Sequence, residues 1–424
     1  MTPEIKQRIE QIRQGEIPEE YQKKSVGIIP KNWNKSFLGA IIKELSSGVS
    51  VNSDVTIDTG VYVLKTSSVS EGKVNLRESK PIIPGDLKRV RCPVLQGTIL
   101  ISRMNTPILV GECGYVNEGS DIHYLPDRLW QAINRSEKIC NFKWLSYLLN
   151  SDRYRTAIHA LGTGTSNSMK NISKEDFLTL PIAFPPLLEQ QKIADILTTQ
   201  DKVIELKEKH LTEKQRQKKY LMQQLLTGKK RLPGFSGEWK ADRLGKLFFE
   251  RKETNCEGLE MLAITGTQGI IPRKDLDLKD NSSEDKSKYL RVCVGDIGYN
   301  TMRMWQGVSA YSNYEGIVSP AYTILKPSSS INAKYFAYLF KMPETIFLFY
   351  RFSQGLVDDT RNLKYENFKK IKVFYPPDVK EQTAIAGVLS AADREIELLR
   401  QDIELEKQKK KALMQLLLTG IVRV

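Results

Sequence analysis

The segment LMQQLLTG (Leu221–Gly228) returns near the end of the chain as LMQLLLTG (Leu413–Gly420), 192 residues later, with seven of eight positions identical. In both places it closes a stretch of helix-forming residues, and glycine is the residue at which helices commonly stop. A helix ending that occurs twice indicates an internal repeat, and a repeat decides the architecture before any single element is considered.

The repeat extends well beyond these eight residues. FPPLLEQQKIADIL (Phe184–Leu197) resembles YPPDVKEQTAIAGVL (Tyr375–Leu389), which has one extra residue after its proline pair. KKSVGIIPKNWNKSFLG (Lys23–Gly39) matches KKRLPGFSGEWKADRLG (Lys229–Gly245) without a gap. The chain therefore contains two copies of one scaffold, with similar ends and divergent middles.

Each repeated ending closes a long predicted helix. The proline pairs at 185–186 and 376–377 suit a first helical turn and block a helix upstream. A helix of about 40 residues would be roughly 60 Å long at ~1.5 Å per residue. Apolar residues recur every seven positions, interrupted by Lys218 and Lys410, which predicts an antiparallel coiled coil. The predicted seam residues are Ile193, Leu197, Ile204, Leu211, Leu221, Leu225, Ile385, Leu389, Ile396, Leu399, Ile403, Leu413 and Leu417. The alternative is two separate surface helices, each packed on its own domain.

The divergent middles have a different pattern. Short apolar runs such as VYVLKT (Val61–Thr66) and AYTILKP (Ala321–Pro327), separated by Gly, Pro, Asn and Asp, indicate β-rich domains. Phe142–Leu161 and Ala333–Phe352 are predicted helices. We therefore predict an α+β fold with two β-rich domains separated by a long antiparallel two-helix coiled coil and related by an internal two-fold repeat. The expected segments are an N-terminal helix (1–22), a first domain (23–184), a first spacer helix (185–228), a second domain (229–375) and a second spacer helix (376–424).

Composition favours a polyanionic partner. The net charge is +14 and the isoelectric point 9.3, which favours nucleic acid before membrane. No apolar run reaches the roughly 18–20 residues that a membrane span needs, and the charged start predicts that there is no signal peptide. The five cysteines are widely spaced without a CxxC pair, which predicts reduced thiols and a cytoplasmic location.

Matching loops in the two middles carry different polar residues. GTGTSNSMKN (Gly162–Asn171) corresponds to GLVDDTRN (Gly355–Asn362), and SRMNTP (Ser102–Pro107) to NTMRMWQG (Asn300–Gly307). Polar side chains of these types read base edges, while Lys and Arg neutralise phosphates. The predicted DNA-contacting residues are Lys65, Thr66, Arg103, Asn105, Ser166, Asn167, Lys170, Asn171, Thr265, Gln268, Arg303, Arg351, Asp358, Arg361 and Asn362. For each residue taken singly, a solvated loop without function is the competing interpretation.

The order of these motifs resembles the DNA-specificity subunits of type I restriction–modification systems. The resemblance rests on the pattern PP-x-x-EQ-x-x-I-A-x-x-L at Pro185–Leu197, its copy at Pro376–Leu389, the LMQQLLTGKKR ending, and the segment Gly295–Pro327. It covers nearly the whole chain. It implies that each domain reads one half of a bipartite DNA site, and that the helix pair sets the spacer and docks modification subunits.

The resemblance also implies partners and places residues 1–22 beside the ends of the long helices. The partners would be double-stranded DNA, two modification subunits that bind S-adenosylmethionine and methylate adenine, and restriction subunits that use ATP. We therefore expect no cofactor on this chain, because S-adenosylmethionine and ATP would belong to the partner subunits.

The sequence lacks familiar catalytic patterns, which favours a non-catalytic subunit. The proline pairs read FPPL and YPPD, unlike the Asn-Pro-Pro-Tyr loop of adenine methyltransferases. There is no GxxxxGK[ST] motif, and the three histidines are too scattered to suggest a metal site. Two rival functions stay open on the sequence alone: a single-chain methyltransferase–nuclease, and a coiled-coil adaptor whose two domains bind proteins.

Overall fold

The structure, a computed structural model, describes residues 2–164, 169–256, 258–266, 269–276 and 285–424. It divides into two compact units. Unit 1 combines Met1–Leu206 with Ile403–Val424, and unit 2 is Lys207–Asp402. Each long helix is therefore shared between the units, whereas the sequence predicts each helix as a segment of its own.

Unit 1 begins with α1 (Pro3–Arg13), which Thr2 caps, and a hairpin of β1 (Tyr21–Lys24) and β2 (Gly27–Pro30). The helix expected over 1–22 thus ends at Arg13, and Gly15 follows with a φ of +81°. The remaining elements are β3 (Asn34–Phe37), α2 (Leu38–Ile41), β4 (Ile42–Ser47), β5 (Tyr62–Leu64), β6 (Val69–Ser70), β7 (Gly72–Val74), β8 (Ser79–Pro81), β9 (Pro93–Val94), β10 (Ile99–Ser102), β11 (Met104–Asn105), β12 (Cys113–Tyr115), β13 (Ser120–Tyr124), β14 (Leu129–Asn134), α3 (Phe142–Leu149), α4 (Asp152–Ala160), β15 (Lys170–Asn171), α5 (Lys174–Leu178), β16 (Pro181–Phe184) and the first part of α6 (Leu187–Leu225).

The main sheet of unit 1 has the strand order β4-β14-β10-β12-β7-β6, and a second sheet has the order β8-β5-β13-β9. All four residues of β10 are buried, which explains its continuous apolar sequence: both faces of this central strand are covered. Helix α3 packs on this core through the fully buried Trp144 and Leu145.

Unit 2 repeats the main sheet in shortened form. Its elements are the rest of α6, β17 (Lys240–Arg243), α7 (Leu244–Leu247), β18 (Phe248–Glu250), β19 (Leu262–Ile264), β20 (Ile270–Pro272), β21 (Leu290–Val292), β22 (Ile297–Asn300), β23 (Ser309–Tyr311), β24 (Gly316–Val318), β25 (Tyr322–Pro327), α8 (Ala333–Leu339), α9 (Pro343–Phe352), α10 (Tyr365–Phe368), β26 (Lys372–Tyr375) and most of α11 (Val379–Leu417). The order β18-β25-β22-β23 corresponds to β4-β14-β10-β12 of unit 1. Tightly packed aromatic rings fill its core, with Phe248 in contact with Phe336, Phe340 and Phe368.

The helices predicted over Phe142–Leu161 and Ala333–Phe352 are each broken into two, so the prediction of continuous helices was wrong. The first breaks between α3 and α4, and the second between α8 and α9. Pro343 stands in the first turn of α9, where its missing N–H has no helical partner to lose. Ser151, just before α4, has an extended backbone that ends the preceding helix.

The two long helices have 39 residues each, and their pairing is antiparallel in both units. In unit 1, Gln200 donates to the side chain of Glu406 at 2.6 Å. In unit 2, Lys207 pairs with Asp402 at 2.7 Å and Lys214 with Glu395 at 2.6 Å. Residue numbers therefore increase along one helix where they decrease along the other. The predicted seam residues that are buried are Ile193, Leu197, Ile204, Leu225, Ile385, Leu389, Ile396, Ile403 and Leu417. Those that are partly buried are Leu211, Leu221, Leu399 and Leu413.

The glycine that ends each repeated octapeptide has a left-handed backbone. The φ angle is +71° at Gly228 and +73° at Gly420. A Cβ on Gly228 would lie 3.4 Å from the ring of Trp239, and a Cβ on Gly420 would lie 2.6 Å from Pro30. Both positions favour glycine because the chain turns left-handed there, and at Gly420 a side chain would in addition clash with Pro30, whereas the 3.4 Å approach at Gly228 is an ordinary van der Waals contact.

In unit 1 the N-terminal segment lies against the C-terminal end of α11, as the resemblance implied. The guanidinium of Arg8 donates to the Ile421 carbonyl at 2.8 Å, and the Tyr21 hydroxyl donates to the Gly420 carbonyl at 2.6 Å. Arg423 binds the carboxylate of Glu189 at the start of α6 at 2.6 Å.

Candidate nucleic-acid interface

Four of the predicted DNA-contacting residues of unit 1 lie together. The short strands β11 and β15 pair Asn105 with Lys170 and Met104 with Asn171. Arg103 immediately precedes this pair of strands. The two loops that the sequence analysis matched therefore meet in space, although about 60 residues separate them in the chain.

Hydrogen bonds to neighbouring groups orient the functional groups of these side chains. Arg103 Nε donates to the Asp127 carbonyl at 2.7 Å, and Lys170 Nζ donates to the Gly164 carbonyl at 2.7 Å. The Asn105 amide donates to the hydroxyl three residues earlier at 3.1 Å. A guanidinium has five N–H donors and an ammonium three, so both cations keep donors beyond these bonds for a phosphate or a base edge.

The two loops of unit 2 are joined by the same backbone contact as those of unit 1, and we call this shared backbone arrangement the loop frame. The Arg103 carbonyl accepts the N–H of Ile172 at 2.9 Å in unit 1, and the Thr301 carbonyl accepts the N–H of Leu363 at 2.9 Å in unit 2. The loops that start from these positions carry different side chains, with Arg303 at the place that Asn105 occupies in unit 1. One frame thus presents two different sets of functional groups.

Two equivalent asparagines hold this frame. Asn171 forms an antiparallel bridge with Thr163, and Asn362 forms one with Gln354. The Oδ1 atom of each asparagine is buried, and among the described residues neither atom has a hydrogen-bond donor. The amide oxygens of Asn171 and Asn362 are thus turned into the protein, and it is the backbone bridges of these two residues that join the segments of each loop.

Arg361 is largely covered by other protein groups. Its Nε donates to Asp358 at 2.8 Å, its Nη2 donates to the Tyr350 hydroxyl at 2.9 Å, and its guanidinium carbon lies 4.1 Å from the Tyr350 ring centroid. Only 18% of its side chain is exposed. Arg303 and Arg351, by contrast, are exposed at the surface and are better placed to meet phosphates.

The other predicted residues lie elsewhere. Lys65 pairs with Glu78 at 3.3 Å, and Thr66 begins a 3-10 helix beside the second sheet of unit 1. Thr265, which follows β19, donates its N–H to the Gly269 carbonyl at 2.9 Å just before β20. Lys65 and Thr66 follow β5, and Thr265 follows β19, so these three residues lie on other elements than those that form the loop frame. The predicted residues Ser166, Asn167 and Gln268 lie outside the described residues.

Lys341, which no sequence pattern indicates, supports the Arg303 loop. The Lys341 ammonium donates to the Gly307 carbonyl at 2.8 Å, at the end of that loop. Burial, with a smaller contribution from the nearby charge of Lys218, lowers the pKa of Lys341 to about 8. No sequence signal distinguishes this lysine from an ordinary surface charge, because its burial depends on tertiary packing.

Within the described ranges, no group of three or more His, Cys, Asp or Glu side chains could hold a metal ion. No helix in the described part of the chain is long and apolar enough to cross a membrane. Burial raises the pKa of the Cys140 thiol to about 12, which keeps it protonated at neutral pH.

Comparison with known proteins identifies the family. The family model described as "Type I restriction modification DNA specificity domain" matches residues 30–215 and 276–407, well over half of the chain. A Methanocaldococcus jannaschii protein assigned as the type I restriction enzyme MjaX specificity subunit is 24% identical over 434 residues, covering 96% of this chain and 97% of that protein.

Two solved structures share the fold. The type I restriction–modification S subunit from M. genitalium has a TM-score of 0.56 at 16% identity, covering 91% of this chain and 96% of that one. A chain from a study titled "Structural basis underlying complex assembly and conformational transition of the type I R-M system" has a TM-score of 0.55 at 16% identity, covering 93% and 99%. These likenesses confirm the predicted fold class. On the family match, the chain belongs to the type I restriction–modification DNA-specificity family.

Proposed function

We propose that this chain is the sequence-specific DNA-binding subunit of a type I restriction–modification complex, and that each unit reads one half of a bipartite site. The observation that carries the proposal is the repeated loop frame, built on Arg103 and Ile172 in unit 1 and on Thr301 and Leu363 in unit 2. The two units share the backbone of the loop frame but differ in its side chains, as is expected of two domains that bind different DNA sequences.

The side chains divide the work between affinity and specificity. Lys170, Arg303 and Arg351 are cations at or beside the frame and would neutralise phosphates, which makes binding sensitive to salt. Asn105 and Asp358 carry amide and carboxylate groups that match adenine and cytosine edges in the major groove. The chain itself would supply recognition and no catalysis.

The partners follow from the family and from the likeness to a chain whose published title names type I complex assembly. We propose two modification subunits and restriction subunits as the partners, in the cytoplasm, with S-adenosylmethionine and ATP held by those partners. The long helices would dock the modification subunits and set the spacer between the half-sites.

Selection from a duplex library tests the reading function. The chain, purified with its modification subunits, is incubated with random duplexes, and bound DNA is sequenced. A bipartite site with a fixed spacer is expected, and Asn105→Ala with Lys170→Ala should relax only one half of it. A continuous site would contradict the reading of two half-sites, and no enrichment together with weak salt dependence would favour the protein-binding adaptor.

A heptad deletion tests the spacer role. Removing 204–210 together with 396–402 shortens each helix by about 10 Å, which corresponds to roughly three base pairs of DNA. The same selection should then return both half-sites with a spacer shorter by about that number. Altered half-sites with an unchanged spacer would show that the helices do not set the distance.

A further inference from the structure

The loop between α9 and α10 presents an apolar tip. Gln354 and Asn362 bridge its base, and Gly355 turns the chain with a φ of +137°. Leu356 is 100% exposed and Val357 is 60% exposed. Single exposed apolar residues are common on protein surfaces, but here two adjacent ones stand at the tip of a loop beside the candidate interface.

The tip is held in place by polar contacts behind it. The Thr360 N–H and hydroxyl both bond to the Val357 carbonyl at 3.0 Å. Arg361 ties Asp358 to Tyr350 through the contacts described above. A braced loop loses less conformational entropy on binding, so the exposed Leu356 is presented in advance to a partner.

The charges around the loop tip favour contact with the bases over contact with the phosphate backbone. Asp358, two residues after Leu356, has a carboxylate that is 66% exposed, which is unfavourable against a phosphate backbone. The major groove offers what this tip can use: the apolar 5-methyl group of thymine and the amino donors of cytosine and adenine. Arg303 and Arg351 of the same unit are exposed cations, and phosphate contacts fall to them.

We propose that Leu356 determines specificity by packing on the 5-methyl group of a thymine in the half-site that unit 2 reads. The assignment rests on the proposed function. It goes further by naming the side chain, Leu356, and the group on the base, the thymine 5-methyl, that meet. Val357 widens the apolar contact, and Arg361 is a positioning residue that holds the loop.

Deoxyuridine substitution tests this pairing directly, because it removes only the methyl group. On the selected site, each thymine of both half-sites is replaced in turn, and the affinity of the wild-type complex is measured. At one position the affinity should fall about fourfold, the value for one buried methyl group. Leu356→Ala should weaken binding to the unmodified site by at least that factor, after which deoxyuridine at that position should make no further difference.

Val294→Ala is the matched control. Val294 is 63% exposed and lies before the start of β22, whereas the Arg303 loop follows the end of that strand. This variant should bind like the wild type and keep the full deoxyuridine effect. A half-site without A·T pairs, an affinity indifferent to every thymine methyl, or a deoxyuridine effect that persists in Leu356→Ala would overturn the proposal while leaving bipartite recognition intact. Failure to select a bipartite site at all would instead reject the proposed function.

Discussion

Lys410 of the last helix binds Asp201 at 2.6 Å in unit 1. Asp201 also accepts a 2.6 Å hydrogen bond from the Tyr147 hydroxyl, and the Lys410 ammonium lies 5.6 Å from the centroid of the Tyr147 ring. Burial raises the pKa of Tyr147 well above its ordinary value, so the phenol stays a donor. The polar interruption that the sequence predicts in the coiled-coil seam is thus the Lys410–Asp201 ion pair, and a hydrogen bond from Tyr147 of α3 holds its aspartate.

Unit 2 contains the same arrangement. Lys218 pairs with Asp393, and the Tyr338 hydroxyl donates to that carboxylate at 2.7 Å. The lysines are 192 residues apart in the chain, and so are the aspartates. In each unit, therefore, a lysine of one long helix pairs with an aspartate of the other.

A double-mutant cycle measures this ion pair. Both side chains of the Asp201–Lys410 pair are about three-quarters buried, so screening by water is limited. We expect Asp201→Ala and Lys410→Ala to be coupled by about 1 kcal/mol in the free energy of unfolding by urea. The cycle on Lys218 and Asp393 should give a similar coupling, and additive effects in both units would show that the pairs contribute nothing.

A buried glutamine near the start of each long helix carries a second repeated contact. Gln190 accepts the N–H of Asn141 at 2.9 Å and donates to the Pro185 carbonyl at 2.9 Å. Gln190 also donates to the Ile139 carbonyl at 3.3 Å. Gln190→Leu removes the partner of the buried Pro185 carbonyl and of two partly buried backbone groups, so we expect a loss of about 2–4 kcal/mol in the free energy of unfolding. The control Gln401→Leu, at an exposed helix position, should change it by about 0.5 kcal/mol or less. Equal effects of the two variants would contradict this account.

The parts of the fold that sequence predicted are those that depend on local periodicity. The heptad pattern and the glycine stop define α6 and the start of α11 to within a few residues, because both signals lie along one helix. The second spacer helix, predicted to reach 424, ends at Leu417, just before the glycine stop at Gly420. The loop frame was only partly predicted. The matching loops could be aligned from their glycines and asparagines, but the pairing of Asn105 with Lys170 is a contact between distant segments.

Individual side chains were least predictable because tertiary neighbours decide their roles. Arg361 was expected on DNA, yet a tyrosine ring and an aspartate occupy most of its guanidinium. Leu356 carries no signal in the sequence, because an apolar residue in a loop usually indicates nothing on its own. A full alignment of the two repeats would have indicated that Tyr147 and Tyr338 have the same role, since they stand at equivalent positions.

The salt dependence of DNA binding distinguishes Arg303 from Arg361. Arg303 is exposed, so its removal should lower the slope of log affinity against log salt by about 0.9, the value for one phosphate contact. Arg361→Ala should leave that slope unchanged and relax the selection at one half-site, because its guanidinium braces the loop. Affinities measured between low and moderate salt on specific and random duplexes decide this. A reduced slope in Arg361→Ala would assign its charge to a phosphate instead.

The pH dependence of stability should reveal the burial of Lys341. Its pKa in the folded chain is about 8, below the ordinary lysine value of about 10.5, so between these values the unfolded chain binds more protons. This residue therefore destabilises the fold fully below about pH 8, and that cost disappears as the pH rises towards 10.5. Lys341→Met removes the titrating group, and the difference in unfolding free energy between the variant and the wild type should change by about 1–3 kcal/mol from pH 7.5 to pH 10 in favour of the wild type. Urea denaturation at several pH values measures this difference, with the exposed Lys334→Met as control. A difference that stays constant over this range would mean that the ammonium is well solvated and does not hold the Gly307 carbonyl from a buried position.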